Sequence, residues 1–259
     1  MIEGLGELGL VFNQGAFLQE LETSRSAQQI ATRWTKTLEK KPQGQERDFL
    51  SLAIWVLWER LGPVNNLPME RLERFADEGQ LKVVTNDPVA GCQLWLRVWD
   101  VIKYKIKGRS LTLDDLSQWS DSFFVSNVCQ DLMWELHNAG LKTPVYFHKR
   151  IDYCREFLEL FPHEDKETVH NMRRAIAETY ASLGDHDRAE IEFEQLVQDF
   201  PHNPWGYIGW GDVLRRRRKD LTQAKELYSK ALSVAKEKFD REAALERLED
   251  LEGALEQGK

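Results

Sequence analysis

Cysteine and proline are scarce in this 259-residue chain, at 3 and 8 residues, and a long apolar run is missing. Cys92, Cys129 and Cys154 are odd in number, widely spaced and set in apolar helical patterns. That argues against a disulfide framework or a Cys-based metal site and predicts buried thiols in a reducing compartment. No stretch approaches the roughly 20 apolar residues of a membrane span. The opening MIEGLGELGLVF has no basic n-region and no small-residue cleavage site, so the expected location is cytoplasmic, with no membrane partner. Period-two alternation is almost absent: only 81–84 and 110–113 show it, and without a partner strand both are expected to be connectors. Basic residues are in deficit, 35 against 43 acidic ones for a net charge of −8, which counts against general capture of nucleic acid.

What the chain does have is apolar residues at helical spacing. Hydrophobic residues make up 42% of it, ample for a sizeable core. Glycine and proline gather at 42–44, 62–68, 79–88, 140–144, 162, 184 and 201–204, and the stretches between are long enough for helices. Phe49, Leu50, Ala53, Ile54, Leu57, Trp58 and Leu61 form one wide apolar face. Leu94, Trp95, Val98, Trp99, Ile102 and Ile106 repeat it, as do Phe124, Val125, Val128, Leu132 and Leu136 in a segment ending at Gly140. The predicted fold class is all-α. The nine tryptophans fall at the same spacings, which favours packing over a cofactor or base-stacking role.

The C-terminal part repeats itself. CREFLELFPH at 154–163 resembles FEQLVQDFPH at 193–202, an amphipathic helix closed by Phe-Pro-His, with Pro162 and Pro201 separated by 39 residues. Ala189, Phe193 and Leu196 match Ala224, Tyr228 and Ala231 at a separation of 35. Within AIAETYASLGDHDRAEIEFEQLVQDFP, Ala177 and Tyr180 fall on a first helix, Gly184-Asp185 at a turn, and Ala189, Phe193 and Pro201 on and after a second. Small residues let two helices approach, rings fill the space around them, and proline stops the second helix.

On these residues the segment resembles a tetratricopeptide repeat, most clearly over 170–236. The unit at 205–236, with Gly211, Ala224, Tyr228 and Ala231, is similar but has a turn one residue longer. The unit at about 120–162 is a degenerate copy whose inter-helix connection is several residues longer. The run EAALERLEDLEGALEQ reads as a terminal helix capping a stack, with Ala244, Leu245, Leu248, Leu251 and Leu255 on its apolar side. The division expected is a helical region at 1–119 without a repeat, followed by repeats and cap at 120–259. The resemblance implies a right-handed stack of antiparallel helix pairs. More distantly, the aromatic-rich helical part and the string NPWGYIGWGD are similar to bacterial SEC-C-motif proteins; their metal knuckle is absent, so their zinc chemistry is not implied.

Catalytic patterns are lacking. No Gly-rich loop follows a strand, no GxSxG or Cys-His pattern has a scaffold, and no carboxylate pair stands out from the acidic surface. His163, Glu164, Asp165, His170 and His202 match no metal-ligand spacing and are expected to be solvated loop residues. The reading is non-enzymatic, with no cofactor and no metal. The basic run at 215–219, beside Trp205 and Trp210, could grip phosphate or an acidic peptide. The more economical role is to neutralise a helix C-terminus and pair with neighbouring acidic helices.

In the resembling family the first helix of each pair lines the concave groove. That implies inward positions Asn171, Arg174, Glu178 and Ser182 in one repeat, and Trp205, Ile208, Asp212, Arg215 and Arg216 in the next. The set suits a segment of a partner protein, acidic segments included, and does not reproduce the Lys/Asn/Lys/Arg carboxylate clamp of some family members. The expected function is a protein-interaction module. Two other readings compete: a nucleic-acid-associated regulator adding Lys103, Lys105, Lys107 and Arg109 as a second basic stripe, and a structural subunit whose Trp34, Trp55 and Trp119 are covered by another chain.

Overall fold

A computed structural model of the chain describes residues 1–109, 111–117, 125–217 and 220–256. Ser110, Trp119, Ser120, Phe124, Arg218 and Lys219 lie outside the described residues, as do the expected 119/120 boundary and the side chain of Leu255. The described residues form α-helices and no strand, so the fold class is all-α as the periodicity predicts. In order they are α1 (Ile2–Glu7), α2 (Gln14–Thr23), α3 (Ala27–Thr37), α4 (Gln45–Leu61), α5 (Met69–Val84), α6 (Pro88–Ile106) and α7 (Leu113–Ser117). There follow α8 (Val125–Lys142), α9 (Val145–Leu160), α10 (Lys166–Ser182), α11 (His186–Asp199), α12 (Pro204–Arg217), α13 (Leu221–Val234) and α14 (Lys238–Glu256).

Local chemistry sets many of these boundaries. The side chains of Asn13, Ser26, Asp87, Asp165, Asp185 and Asp220 each accept a backbone N–H in the first turn of the helix that follows. Such a cap satisfies a donor that the helix cannot, and contributes about 1 kcal/mol. Between α10 and α11, Gly184 adopts φ +81, the left-handed conformation that a side chain disfavours, and the short connection turns the chain back on itself.

The chain divides into two compact units, Met1–Glu135 and Leu136–Lys259. In the first, Leu5, Phe17, Leu21, Ile30, Leu50, Ile54 and Trp58 share one core. Trp58, Trp95 and Trp99 are at most 2% exposed, the packing role their spacing predicts. Trp34 and Trp55 are half-buried, their indole N–H groups donating to Glu20 and Glu59. Residues 81–84, expected to be a connector, instead complete α5, and Gly79 lies inside that helix. The glycine serves close approach rather than a break: a Cβ there would collide with the Trp95 indole, whose Nε1 donates to Ala76 O at 3.1 Å. Apolar residues at 81–84 misled because Leu81 and Val84 are exposed at a helix end.

Gly140 likewise lies within α8, and its absent side chain leaves room for the Phe147 ring. The connection from α8 to α9 is therefore only Thr143-Pro144, not the long one that a helix ending at Gly140 would need. In the second unit α9 packs on α10, α10 on α11, α12 on α13 and α13 on α14. The 35-residue repeat appears directly in burial: Ala189 and Ala224, Phe193 and Tyr228, Leu196 and Ala231 are all 0% exposed. Cys92, Cys129 and Cys154 are buried, and burial pushes the Cys154 thiol up to about 12.

A Cβ at Gly211 would stand 2.5 Å from the Tyr228 ring, itself fully buried, whereas one at Gly253 meets nothing within 4 Å. Gly211→Ala is expected to destabilise by about 1–3 kcal/mol through overpacking, and Gly253→Ala to stabilise by roughly 0.5–1 kcal/mol through helix propensity. Urea denaturation of both variants checks the opposite signs.

Candidate functional site

The groove positions expected from the sequence fall on α10 and α12, and most of them are bonded inside the protein. Arg174 is 9% exposed; its guanidinium pairs with Glu178 at 3.3 Å and lies 5.2 Å over the Trp205 ring. Glu178 also faces Arg150 at 3.6 Å. Arg150 is only 1% exposed and donates to Thr179 Oγ1 at 2.9 Å and to Ala175 O at 3.3 Å, which compensates the burial of its charge. Ile208, 1% exposed, belongs to the core between α12 and its neighbours and has no surface to give a partner. It is corrected from groove to core: it lies on the side of α12 that packs with Ala224, Tyr228 and Ala244. Asn171 is half-buried, and Ser182 and Arg216 are exposed.

The remaining positions connect α12 to α14. Trp205 Nε1 donates to Asp240 at 2.9 Å, Arg247 Nε donates to Asp212 at 3.2 Å, and Arg215 pairs with Asp250 at 3.5 Å. Each of these pairs spans 35 residues. Asp240, Arg247 and Asp250 escaped the sequence reading, yet the signal was present, because the 35-residue offset found on the second helices leads from Trp205, Asp212 and Arg215 to these three. Arg217 pairs with Glu190 at 2.9 Å, so the described part of the basic run serves neighbouring acidic helices and the end of α12. Arg174 and Arg215 are thus engaged within the protein, while Arg216 is exposed.

A cleft of about 580 Å³ lies at the α11–α12 and α13–α14 connections. Phe200, Pro201, Pro204, Trp205 and Val234 supply its apolar lining, and Lys166, Lys236, Glu167, Asp199, Glu237 and Asp240 its charges. Carboxylates outnumber ammonium groups there. Asn203 Oδ1 accepts from Trp205 N at 2.9 Å, fixing the start of α12 and with it the indole. Beside Trp205 stands Phe239, ring centroids 5.9 Å apart, with 69% of the phenylalanine exposed. An aromatic lip over a mixed-charge wall is suited to an apolar side chain flanked by basic or neutral residues.

Behind the cleft is His170, edge-on to Phe200 at 5.3 Å and 0% exposed. It is not the solvated loop residue expected. His163 and His202 are exposed, Asp165 caps α10, and among the described residues no three His, Cys, Asp or Glu side chains gather to hold a metal. Neither ring nitrogen of His170 has a hydrogen-bond partner among the described residues. Burial, followed by the nearby Arg174 guanidinium, lowers its pKa from 6.5 to about 4, with Asn171 opposing.

No protein-family model and no curated protein matches the chain. No described helix is long and apolar enough to cross a membrane.

The unfolded chain protonates His170 near pH 6.5 and the folded chain only near 4. Its contribution is therefore complete above pH 6.5 and lost as pH falls toward 4, by up to roughly 3 kcal/mol. Denaturant titrations at pH 7 and 4.5 are expected to show a smaller acid loss in His170→Met than in the wild type.

Proposed function

We propose that the chain is a non-enzymatic, cytoplasmic protein-interaction module whose C-terminal unit is a tetratricopeptide-type stack that receives a segment of a partner protein. Several features support the stack. Helices connect by short turns, the same core positions recur at 35 residues, and small residues stand where the rings of the opposing helix pack. The observation that carries the function is the cleft beside Trp205. It shares Trp205 with the expected groove, it has the volume of a side-chain or short-peptide site, and the exposed Phe239 stands beside that tryptophan. The segment best matched carries an apolar or aromatic anchor and basic or neutral neighbours, since the cleft is rich in carboxylates.

Phe239 makes this testable without harm to the core. Affinity capture with the wild type, Phe239→Ser and Arg216→Glu is expected to lose the partner with Phe239→Ser and keep it with Arg216→Glu, read by quantitative mass spectrometry. Equal retention by all three would remove the cleft from the assignment; loss only with Arg216→Glu would move the contact to the exposed end of α12.

A further inference from the structure

In the first unit, the C-terminal ends of α2 and α6 meet at a pocket of about 480 Å³. Arg25, Lys105, Lys107 and Arg109 line it together with one carboxylate, Glu22. That ratio inverts the balance of the chain, in which acidic residues outnumber basic ones 43 to 35. Helix ends explain part of it, because each C-terminus acts as about half a negative charge. Arg25 has an interaction of its own, and against Lys105, Lys107 and Arg109 the two ends and Glu22 still leave a surplus of about one positive charge. Glu70, the next carboxylate in the field of Lys105, is engaged at the start of α3, accepting from Ala27 N at 3.1 Å and Gln28 N at 2.9 Å.

Lys105 is the one member of the four that is not exposed. Its ammonium lies 5.3 Å from the Trp58 ring and donates to Asn66 Oδ1 at 3.1 Å. An ammonium has three donors, and the described residues give this one no second acceptor. Asn66 is 1% exposed and cannot follow the lysine: its carbonyl accepts from Trp58 Nε1 at 2.6 Å and its Nδ2 donates to Leu21 O at 3.4 Å. Tyr104 donates to Glu22 at 3.0 Å, which holds the carboxylate in a bond of its own. Burial draws the Lys105 ammonium down to about 8, with Glu22 and Glu70 opposing and Arg25 adding to it.

We propose that this pocket binds a small phosphorylated molecule, its phosphate seated between Lys105 and Arg109. A phosphate monoester brings close to two negative charges at neutral pH and several acceptor oxygens, which suits a basic pocket in which the Lys105 ammonium has donors to spare. Guanidinium groups meet phosphate oxygens in a two-pronged geometry. The pocket is larger than one phosphate and falls within the range of small-molecule sites, so the ligand has a body, and Glu22 and Tyr104 offer it polar contacts.

Calorimetric titration of the full chain with inorganic pyrophosphate, at about 50 mM salt, tests the phosphate seat. Wild type is expected to bind. Lys105→Met should weaken binding at least tenfold and Arg109→Ala three- to tenfold, while Arg216→Ala, on the other unit, leaves it unchanged. Circular dichroism and thermal melts of each variant separate loss of binding from loss of fold. A sugar phosphate competing with pyrophosphate at equal or better affinity would support a ligand with a body. No pyrophosphate binding by wild type, or equal binding by folded Lys105→Met, would overturn the proposal. So would a 20-nucleotide single strand that binds with a steep salt dependence and is not displaced by pyrophosphate, which would return the basic stripe to nucleic acid.

Discussion

The second unit depends on side chains that are missing. Gly206, Gly209 and Gly211 of α12 face Val197, the Phe193 ring and the Tyr228 ring, and a Cβ at any of them would fall at or inside tight contact. Each glycine within a helix costs about 1 kcal/mol relative to alanine. Rings packed into the vacated space offset that, since full burial of a large apolar side chain is favourable by roughly 1.5–3 kcal/mol. Close approach then determines what the polar groups can reach. Tyr228 comes near enough for its hydroxyl to donate to Asp212 at 2.8 Å, and that same carboxylate receives Arg247 of α14. The order of dependence runs from bare backbone to ring to charge pair.

Much of the fold was legible because helical periodicity is a property of local sequence. The faces built on Phe49 to Leu61 and on Leu94 to Ile106 became α4 and α6, and Ala189, Phe193 and Leu196 found their counterparts 35 residues on. Errors came where one residue type serves two purposes. Gly79 and Gly140 read as breaks because glycine is common in turns, but their role is to admit Trp95 and Phe147 from another helix, a fact about tertiary approach that no local window contains. The site was less legible than the fold for a related reason. Charges on an inward helix face look like ligand contacts until the facing helix is known, and here that helix supplies Asp240, Arg247 and Asp250. Arg150, buried at the centre of its own network, gave no sign in the sequence of being anything but a surface cation.

The two units treat positive charge differently. On α10 and α12, Arg173, Arg174, Arg215 and Arg217 pair with nearby carboxylates, a consequence of acidic helices following one another at a fixed repeat. Near the end of α6 the lysines and Arg109 face carbonyl ends and a single glutamate, and the nearest alternative carboxylate is already engaged at a helix start. Composition alone does not separate these cases; both are basic runs ending a helix. What separates them is how many acceptors stand within reach.

The three bonds from α12 to α14 share a single offset, and this has a mechanical consequence. Two parallel rods joined at several points in one register cannot slide by small amounts: sliding α14 by one helical turn, about 5.4 Å, would part Trp205 from Asp240, Asp212 from Arg247 and Arg215 from Asp250 together. The last helix is keyed to its neighbour like the teeth of a rack, and it is either in place or released as a piece.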